Sequence, residues 1–387
     1  MLRTHEHDEL ERTTLRVIKD HILPNVDDWE REGIFPAHEL MKKFGDAGLL
    51  GITKPEAYGG LDLDFSYEMV FAEALGSIPA SGLSSAIGVQ STMCTPALAA
   101  HGSDALKREY LAPTIAGDRV GAIGVSEPGA GSDVANIRTN ARRDGDDYVI
   151  NGSKMWITNG AQADWICLLC NTASDRPKHG NKSLIIVPMD TPGVQLSRKL
   201  DKMLYFSSDT AQLFFDDVRV PASNRIGEEN LGFTYQMEQF QEERLFVVAR
   251  SLRAMEMAIE VTIDYTRQRE VFGKPVLANQ VVYHKLAELQ SELEAIRSLL
   301  YRATEAYVGG ENVTKLASMA KFLIGKLAMR LPAECQQYWG GQGVMNENWI
   351  SRAYRDIRLT SIGGGANEIM LEVVAKQMGI HPGRRGG

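Results

Sequence analysis

The chain has 387 residues, 44% hydrophobic and 24% charged, with a formal net charge of −8. That length exceeds one typical domain and supplies apolar content for two or three cores, and the acidic balance argues against nucleic acid or an anionic membrane as the main partner. Four cysteines without framework spacing fit a reducing compartment. With no apolar signal core in MLRTHEHDELERTTL and no run of about 18 apolar residues, a soluble cytoplasmic protein without stable membrane insertion is expected.

Along residues 8–46, apolar side chains recur at helical spacing: Leu10, Leu15, Val17, Ile18 and Ile22, then Leu40, Met41 and Phe44. They predict two helices with a break near Ile34–Pro36. SYEMVFAEALG resumes the spacing up to Gly76, and 81–119 holds another helix pair, the second capped by Ser103. Residues 1–119 thus read as an N-terminal helical domain.

From Val120 the texture changes to short segments rich in Val, Ile, Thr and aromatic residues, separated by Gly, Pro and Asp. Residues 120–230 read as an antiparallel, β-barrel-like middle domain, with turns expected at Gly145-Asp146 and Asn151-Gly152. Cys167 and Cys170 lie in the run WICLLC. Positions i and i+3 of a strand face opposite ways, so these thiols read as buried and structural rather than as metal ligands.

Helix returns near Gly232. Residues 284–307 carry Leu286, Leu289, Leu293, Ile296 and Leu300 along one side, ENVTKLASMAKFLIGKLAMRLPAECQQYW adds a second long helix and 366–379 a last one. Residues 231–387 therefore read as a C-terminal four-helix bundle, making the class α+β. The end, HPGRRGG, reads as a short mobile tail.

The stretch 121–160 organises the chain. Gly129, Ala130 and Gly131 let backbone N–H groups approach a ligand, Ser126, Ser132 and Thr158 supply hydroxyls, and Trp156 supplies a flat face. A flat, heteroatom-rich cofactor with a charged tail suits it, although ordinary turns use the same residues. There is no Walker loop, no GxGxxG after a strand, no HExxH, no GxSxG and no metal pattern among the eight histidines, so Rossmann-type, hydrolase and metalloenzyme readings lose ground. Arg269 and Phe272 place a guanidinium and a ring one helical turn apart before Gly273, either to read a phosphate and a heterocycle or as a salt-bridged helix end. Gln280 opens the next helix. Glu242, Glu243 and Arg244 sit at the head of an apolar helix, where acids either suit the helix dipole or reach a ligand cavity.

SEPGAGSD at 126–133, NGSKMWITNG at 151–160, RQREVFGKP at 267–275, QYWGGQG at 337–343 and YRDIRLTSIGGGANEI at 354–369 occur in one order over essentially the whole length. With them the chain resembles the acyl-CoA dehydrogenase family. The resemblance implies a homotetramer built from dimers that holds FAD non-covalently and converts an acyl-CoA thioester to a trans-2-enoyl-CoA, with hydride passing from Cβ to flavin N5. It places Val125, Ser126, Gly131, Trp156 and Thr158 around the isoalloxazine. It assigns Arg269, Phe272 and Gln280 to the FAD pyrophosphate and adenosine across a subunit boundary, joined by Gln337, Gly340 and Gly341. Ser132 falls near the FAD and the pantetheine path, and Arg244 near the CoA nucleotide. An electron-transferring flavoprotein is the implied acceptor.

Many relatives carry their catalytic glutamate in a Tyr-Glu-Gly-Thr loop, but this chain reads Gly363-Gly364-Gly365-Ala366 there. Glu368, on the helix that follows, does not match. The long-chain and isovaleryl members instead carry the base directly before an arginine on the first helix of the C-terminal bundle, a pattern matched by Glu243-Arg244. The missing side chain at Gly364 opens volume beside the substrate, and SSAIGVQSTMCTPAL, along the expected fatty tail, is built from small residues. The resemblance extends to the citronellyl-CoA dehydrogenases of acyclic-terpene degradation, so a long or branched acyl chain such as citronellyl-CoA is expected. The alternatives are a straight medium- or long-chain substrate, a flavin monooxygenase of the same fold, and a non-catalytic acyl-CoA binding protein.

Overall fold

The computed structural model describes residues 3–382; all but the first two residues of the expected tail lie outside the described residues. Helices α1 (His5–Val17), α2 (Val26–Glu32), α3 (Ala37–Asp46), α4 (Phe65–Leu75), α5 (Ser81–Gly88), α6 (Pro96–His101), α7 (Asp104–Leu106) and α8 (Ala112–Ile115) precede the sheet. The anticipated break falls between α2 and α3, where Gly33 takes a left-handed φ of 74° and Pro36 caps α3. Ser103 caps α7 as expected, its Oγ accepting the Leu106 N–H at 3.3 Å.

The strands are β1 (Gly121–Gly124), β2 (Asn140–Asp144), β3 (Asp147–Thr158), β4 (Trp165–Asn171), β5 (Lys182–Pro188), β6 (Val194–Lys199), β7 (Thr210–Pro221) and β8 (Arg225–Ile226). After them come α9 (Gly232–Gln268), a ribbon of β9 (Glu270–Val271) and β10 (Lys274–Pro275), α10 (Gln280–Val308), α11 (Thr314–Ala328), α12 (Leu331–Gln337), α13 (Trp349–Ile357) and α14 (Asn367–Gln377). The expected second long helix is thus two, α11 and α12, parted just before Pro332, which cannot continue a hydrogen-bonded turn.

The barrel-like middle domain is corrected to an open sheet. Its order is β6-β7-β3-β2-β4-β5-β8, with β1 also on β4, and the end strands β6 and β8 do not pair. Closing a barrel needs an unbroken ring of staggered pairing. Here β8 has only two residues, and β2 meets β4 through the single pair Asn140–Asn171. The sheet is also not purely antiparallel, since β1 and β2 both run parallel to β4.

Strand β4 is buried on both faces. Trp165, Cys167 and Leu169 enter one apolar cluster, while Ile166, Leu168 and Cys170 enter another. The two thiols therefore do face opposite ways. Gly145-Asp146 turns between β2 and β3, but Asn151-Gly152 lies inside β3, where the β7 register shifts. Gly152 there has φ 149°, and a Cβ on it would lie 2.6 Å from Thr139 Cα, so the glycine serves a close crossing rather than a hairpin.

By compactness the chain forms two units. One takes the N-terminal residues through Leu23, Phe65–Ser84 and everything from Glu243 on; the other takes Pro24–Asp64 and Ser85–Glu242, including the sheet. In the first, the α10 stripe Leu286, Leu289, Leu293, Ile296 and Leu300 is buried as its spacing predicts. The Gly152→Ala variant is expected to lose about 2 kcal/mol or more of stability through this steric conflict, seen as a lower thermal midpoint by circular dichroism; an unchanged midpoint refutes the close-crossing account.

Candidate active site

In the unit that holds the sheet, the glycine-rich elbow is fixed by a buried ion pair. Lys154, with none of its surface exposed, donates to the Val125 carbonyl at 2.9 Å and to Glu127 Oε1 at 3.1 Å. The Glu127 carboxylate also accepts the N–H groups of Arg138 at 2.7 Å and Thr139 at 2.9 Å. Burial pushes the Glu127 carboxyl up, but Lys154 and these donors outweigh it and hold it below its usual range. Burial also disfavours the Lys154 cation, and Glu127 opposes that loss of charge. With three donors on its carboxylate, we take the pair as ionised. Glu127 and Ala130 exchange backbone hydrogen bonds at 3.1 Å, closing the elbow into a tight turn.

Trp156 stands beside that turn. The β3–β7 register shifts between Lys154 and Ile157, and in that irregular segment Trp156 has φ 62° and 53% of its surface exposed. Such an irregularity re-aims a side chain that a regular pleat would direct elsewhere. The adjacent Met155 N–H donates to the Ser126 carbonyl at 3.0 Å, tying the bulge to the elbow. A Cβ on Gly131 would come no nearer than 4.0 Å to the indole, and one on Gly129 would meet nothing. The structure thus brings Val125, Ser126, Gly131 and Trp156 together, with Thr158 at the end of β3 and Ser132 exposed beyond the elbow.

A cleft of about 760 Å³ opens from the same elbow, lined by Gly129, Arg138, Arg142, Lys178 and Asn181 among others, with no carboxylate in its lining. Sequence reasoning missed this basic cleft because its cations are separated along the chain.

In the other unit, Glu243 lies well inside the 37-residue helix α9, not at its head. The helix dipole acts over the terminal turn only, so it gives no account of this acid. Glu243 is partly buried, and burial raises its carboxyl pKa above the ordinary 4.5 despite Arg244 and Lys321, which pull it down. Gly364 is its neighbour: a Cβ built there would lie 3.5 Å from Glu243 Oε1 and 3.4 Å from Val247 Cγ2. Arg244 is 8% exposed and directs Nη1 at Ser318 Oγ, 3.4 Å away, and its burial lowers its own pKa. The Ser318 contact directs its guanidinium at α11.

Also in this unit, Phe272 and Gly273 form the tip of the β9–β10 ribbon with φ 52° and 79°. The aromatic is thus on a hairpin, and Arg269 lies in the link before it, since α9 ends at Gln268; the two are not one helical turn apart. Among the described residues Arg269 pairs with no carboxylate, and the ion pair at this helix end joins Arg267 to Asp264 at 2.9 Å. The Gln337–Gly341 segment is anchored beside the same helix ends: Trp339 stacks on Tyr265 at 4.1 Å, and the Tyr338 hydroxyl donates to the Val281 carbonyl next to Gln280 at 3.2 Å.

Models of the acyl-CoA dehydrogenase N-terminal, middle and C-terminal domains match residues 4–118, 122–218 and 230–379. The chain belongs to the acyl-CoA dehydrogenase family. Over 377 residues it is 38% identical to the pig mitochondrial long-chain specific acyl-CoA dehydrogenase, covering 96% of this chain and 86% of the relative. It is 33% identical to the potato mitochondrial 2-methylacyl-CoA dehydrogenase, covering 96% and 90%. The acyl-CoA dehydrogenase structure from Geobacillus kaustophilus superposes with a TM-score of 0.94 at 40% identity, covering 97% of this chain and 98% of the other. A structure described as an electron transferring flavoprotein of Acidaminococcus fermentans does so with 0.93 at 30% identity, covering 98% and 99%.

The cytoplasmic expectation is overturned by these comparisons, because the long-chain relatives from pig, rat and mouse are mitochondrial proteins. Net charge and the lack of a long apolar helix carry no compartment address, so they could not support it.

As a family member the protein is an FAD-dependent oxidoreductase that dehydrogenates acyl-CoA thioesters. The residues present fit FAD. An uncommitted guanidinium at Arg269, a fully exposed ring at Phe272, and Gly340 and Gly341, where a Cβ would meet nothing, suit a flat anionic dinucleotide. So does the half-exposed Trp156 beside open glycines. Breaking the buried pair with Glu127→Gln is expected to cost about 3 kcal/mol and to release FAD on dilution, measured by flavin fluorescence in the filtrate; full flavin retention at an unchanged thermal midpoint refutes the role given to the pair.

Proposed function

We propose that Glu243 is the base that takes the α-proton of the thioester, and that the substrate is a long or branched acyl-CoA, with citronellyl-CoA the specific candidate. One observation carries the reading: the side-chain position vacated at Gly364 lies 3.5 Å from the Glu243 carboxylate. The acid that a Tyr-Glu-Gly-Thr loop would supply is replaced at the same place by one from α9.

Proton transfer from Cα to Glu243 leaves the Cα–H electron pair to form the new double bond, while Cβ–H departs with its electrons. Accepting that hydride is the chemistry FAD supplies when bound. Val125, Ser126, Gly131, Ser132, Trp156 and Thr158 would hold its ring end, and, across a subunit boundary, Arg269, Phe272, Gln280, Gln337, Gly340 and Gly341 of a second copy would hold its pyrophosphate and adenosine. Burial suits Glu243 to the work, because a carboxylate with a raised pKa is the stronger base. Arg138, Arg142 and Lys178 would receive the CoA phosphates, their charges being unopposed in the cleft lining. We read the assembly as a homotetramer and the electron acceptor as an electron-transferring flavoprotein, on the family resemblance together with the Acidaminococcus structure.

A branched chain is favoured by the absent side chain at Gly364 and by the potato relative's 2-methylacyl substrate. A straight long chain is the second reading, favoured by the pig relative. The small-residue segment favours a long or branched chain alike: Ser91, Thr92 and Thr95 turn their hydroxyls onto carbonyls four residues back, and Gln90 is engaged by Thr114, Arg119 and Gly121.

Glu243→Gln is expected to keep FAD but to slow anaerobic flavin reduction by acyl-CoA about a thousandfold. In the parent enzyme that rate should rise with pH as the carboxyl ionises, through a pKa above 4.5, and the limb should vanish in the variant. Reduction at the parent rate would defeat the assignment. Across citronellyl-, isovaleryl-, octanoyl- and palmitoyl-CoA, the branched reading expects the highest kcat/KM with citronellyl-CoA and about a tenfold loss of that preference in Gly364→Glu; a preference for octanoyl- or palmitoyl-CoA selects the straight-chain reading.

A further inference from the structure

The loop between α13 and α14 contributes no carboxylate, yet a lysine from another helix fixes it. Lys321 of α11 is fully buried, and its Nζ donates to the carbonyls of Thr360 at 2.6 Å and Gly365 at 3.0 Å. Those acceptors bracket Gly364, whose φ is +65°, as Gly365's is +103°. The Cβ position at Gly364 is 3.6 Å from Lys321 Cε and 3.5 Å from Glu243 Oε1. Lysine stem, carboxylate and glycine therefore surround one small space.

An ammonium in such a place loses its water and is stable only if its surroundings return the lost interaction. Burial lowers the Lys321 pKa to about 7. Glu243 favours the charged form, and Arg250 and Arg244 oppose it; all three lie on α9, and among the described residues no charge from α10, α12 or α14 shifts it, nor does Arg358 of the gripped loop, which donates to Ser361 Oγ. Among the described residues, Glu243 is thus the one anion that shifts this cation.

We propose that Lys321 is the positioning residue of the proton-abstracting site: it ties the carbonyls on either side of Gly364, holding the loop in its left-handed path, and sets a cation across the vacated position from Glu243. This rests on the reading of Glu243 as base. Two carbonyls fix the ammonium, so it does not follow the proton. Before transfer it favours the ionised carboxylate, and with Lys321 neutral or absent the Glu243 pKa, already raised, rises further.

The test is the pH dependence of anaerobic flavin reduction in holoenzyme, with the best acyl-CoA of the panel. Lys321→Gln keeps a donor for the loop and removes the charge; Lys321→Arg keeps the charge. In Lys321→Gln the limb is expected to move about one unit to higher pH, with reduction about tenfold slower below it and near the parent rate above it. A merely structural lysine would change flavin content and thermal midpoint without moving the limb. Lys321→Arg is expected to keep the parent limb, and this measurement decides the charge role if the glutamine variant does not fold. An unmoved limb in Lys321→Gln, or a limb displaced in Lys321→Arg, overturns the proposal. Glu243→Gln separates the two readings: if it is inert while Lys321→Gln is unshifted, only the lysine role fails; if it reduces flavin at the parent rate, the base assignment fails and the lysine role with it.

Discussion

A carboxylate inside a helical unit is stable only as far as its neighbours replace the water it has lost. Glu243 sits in the body of α9 with Lys321 and Arg244 as opposing cations, and the balance still lies toward a raised pKa. The glycine loop gains its meaning from that position. Left-handed backbone at Gly364 and Gly365 lets the chain turn beside the acid without filling the space in front of it.

The opposite arrangement holds the glycine-rich elbow. There the carboxylate, Glu127, is saturated with donors and structural, and its cation reaches past it to grip the Val125 carbonyl. One acid has its pKa raised by burial, and the other has it held down by its donors. Both share burial, and the difference is the number of N–H groups aimed at them.

Much of this was legible in the sequence. The α10 stripe, the break near Ile34–Pro36, the Ser103 cap and the alternation of Cys167 and Cys170 follow from local periodicity and turn chemistry, which tertiary contacts reinforced. Other features were not legible. Asn151-Gly152 has the composition of a hairpin turn, but Thr139 crossing close beside it uses the glycine in mid-strand. The open sheet depends on pairing between distant segments, above all the lone β2–β4 contact, which strand composition does not specify. Glu243 looked like a helix-start acid because the polar Gln239, Gln241 and Glu242 lead directly into the apolar run of α9, although the return of helix near Gly232 was itself legible. Lys321 gave no signal at all, since a lysine in an amphipathic helix ordinarily faces water.

The two-faced burial of β4 has an outcome for thiol chemistry. Cys167 and Cys170 are sealed in separate apolar clusters, and burial pushes both pKa values up to about 12. Cys94 and Cys335 are likewise buried and shifted upward. Thiolate is the reactive form, so the native fold withholds all four sulfurs from oxidants and alkylating reagents alike, and modification at any of them marks a molecule that has already opened.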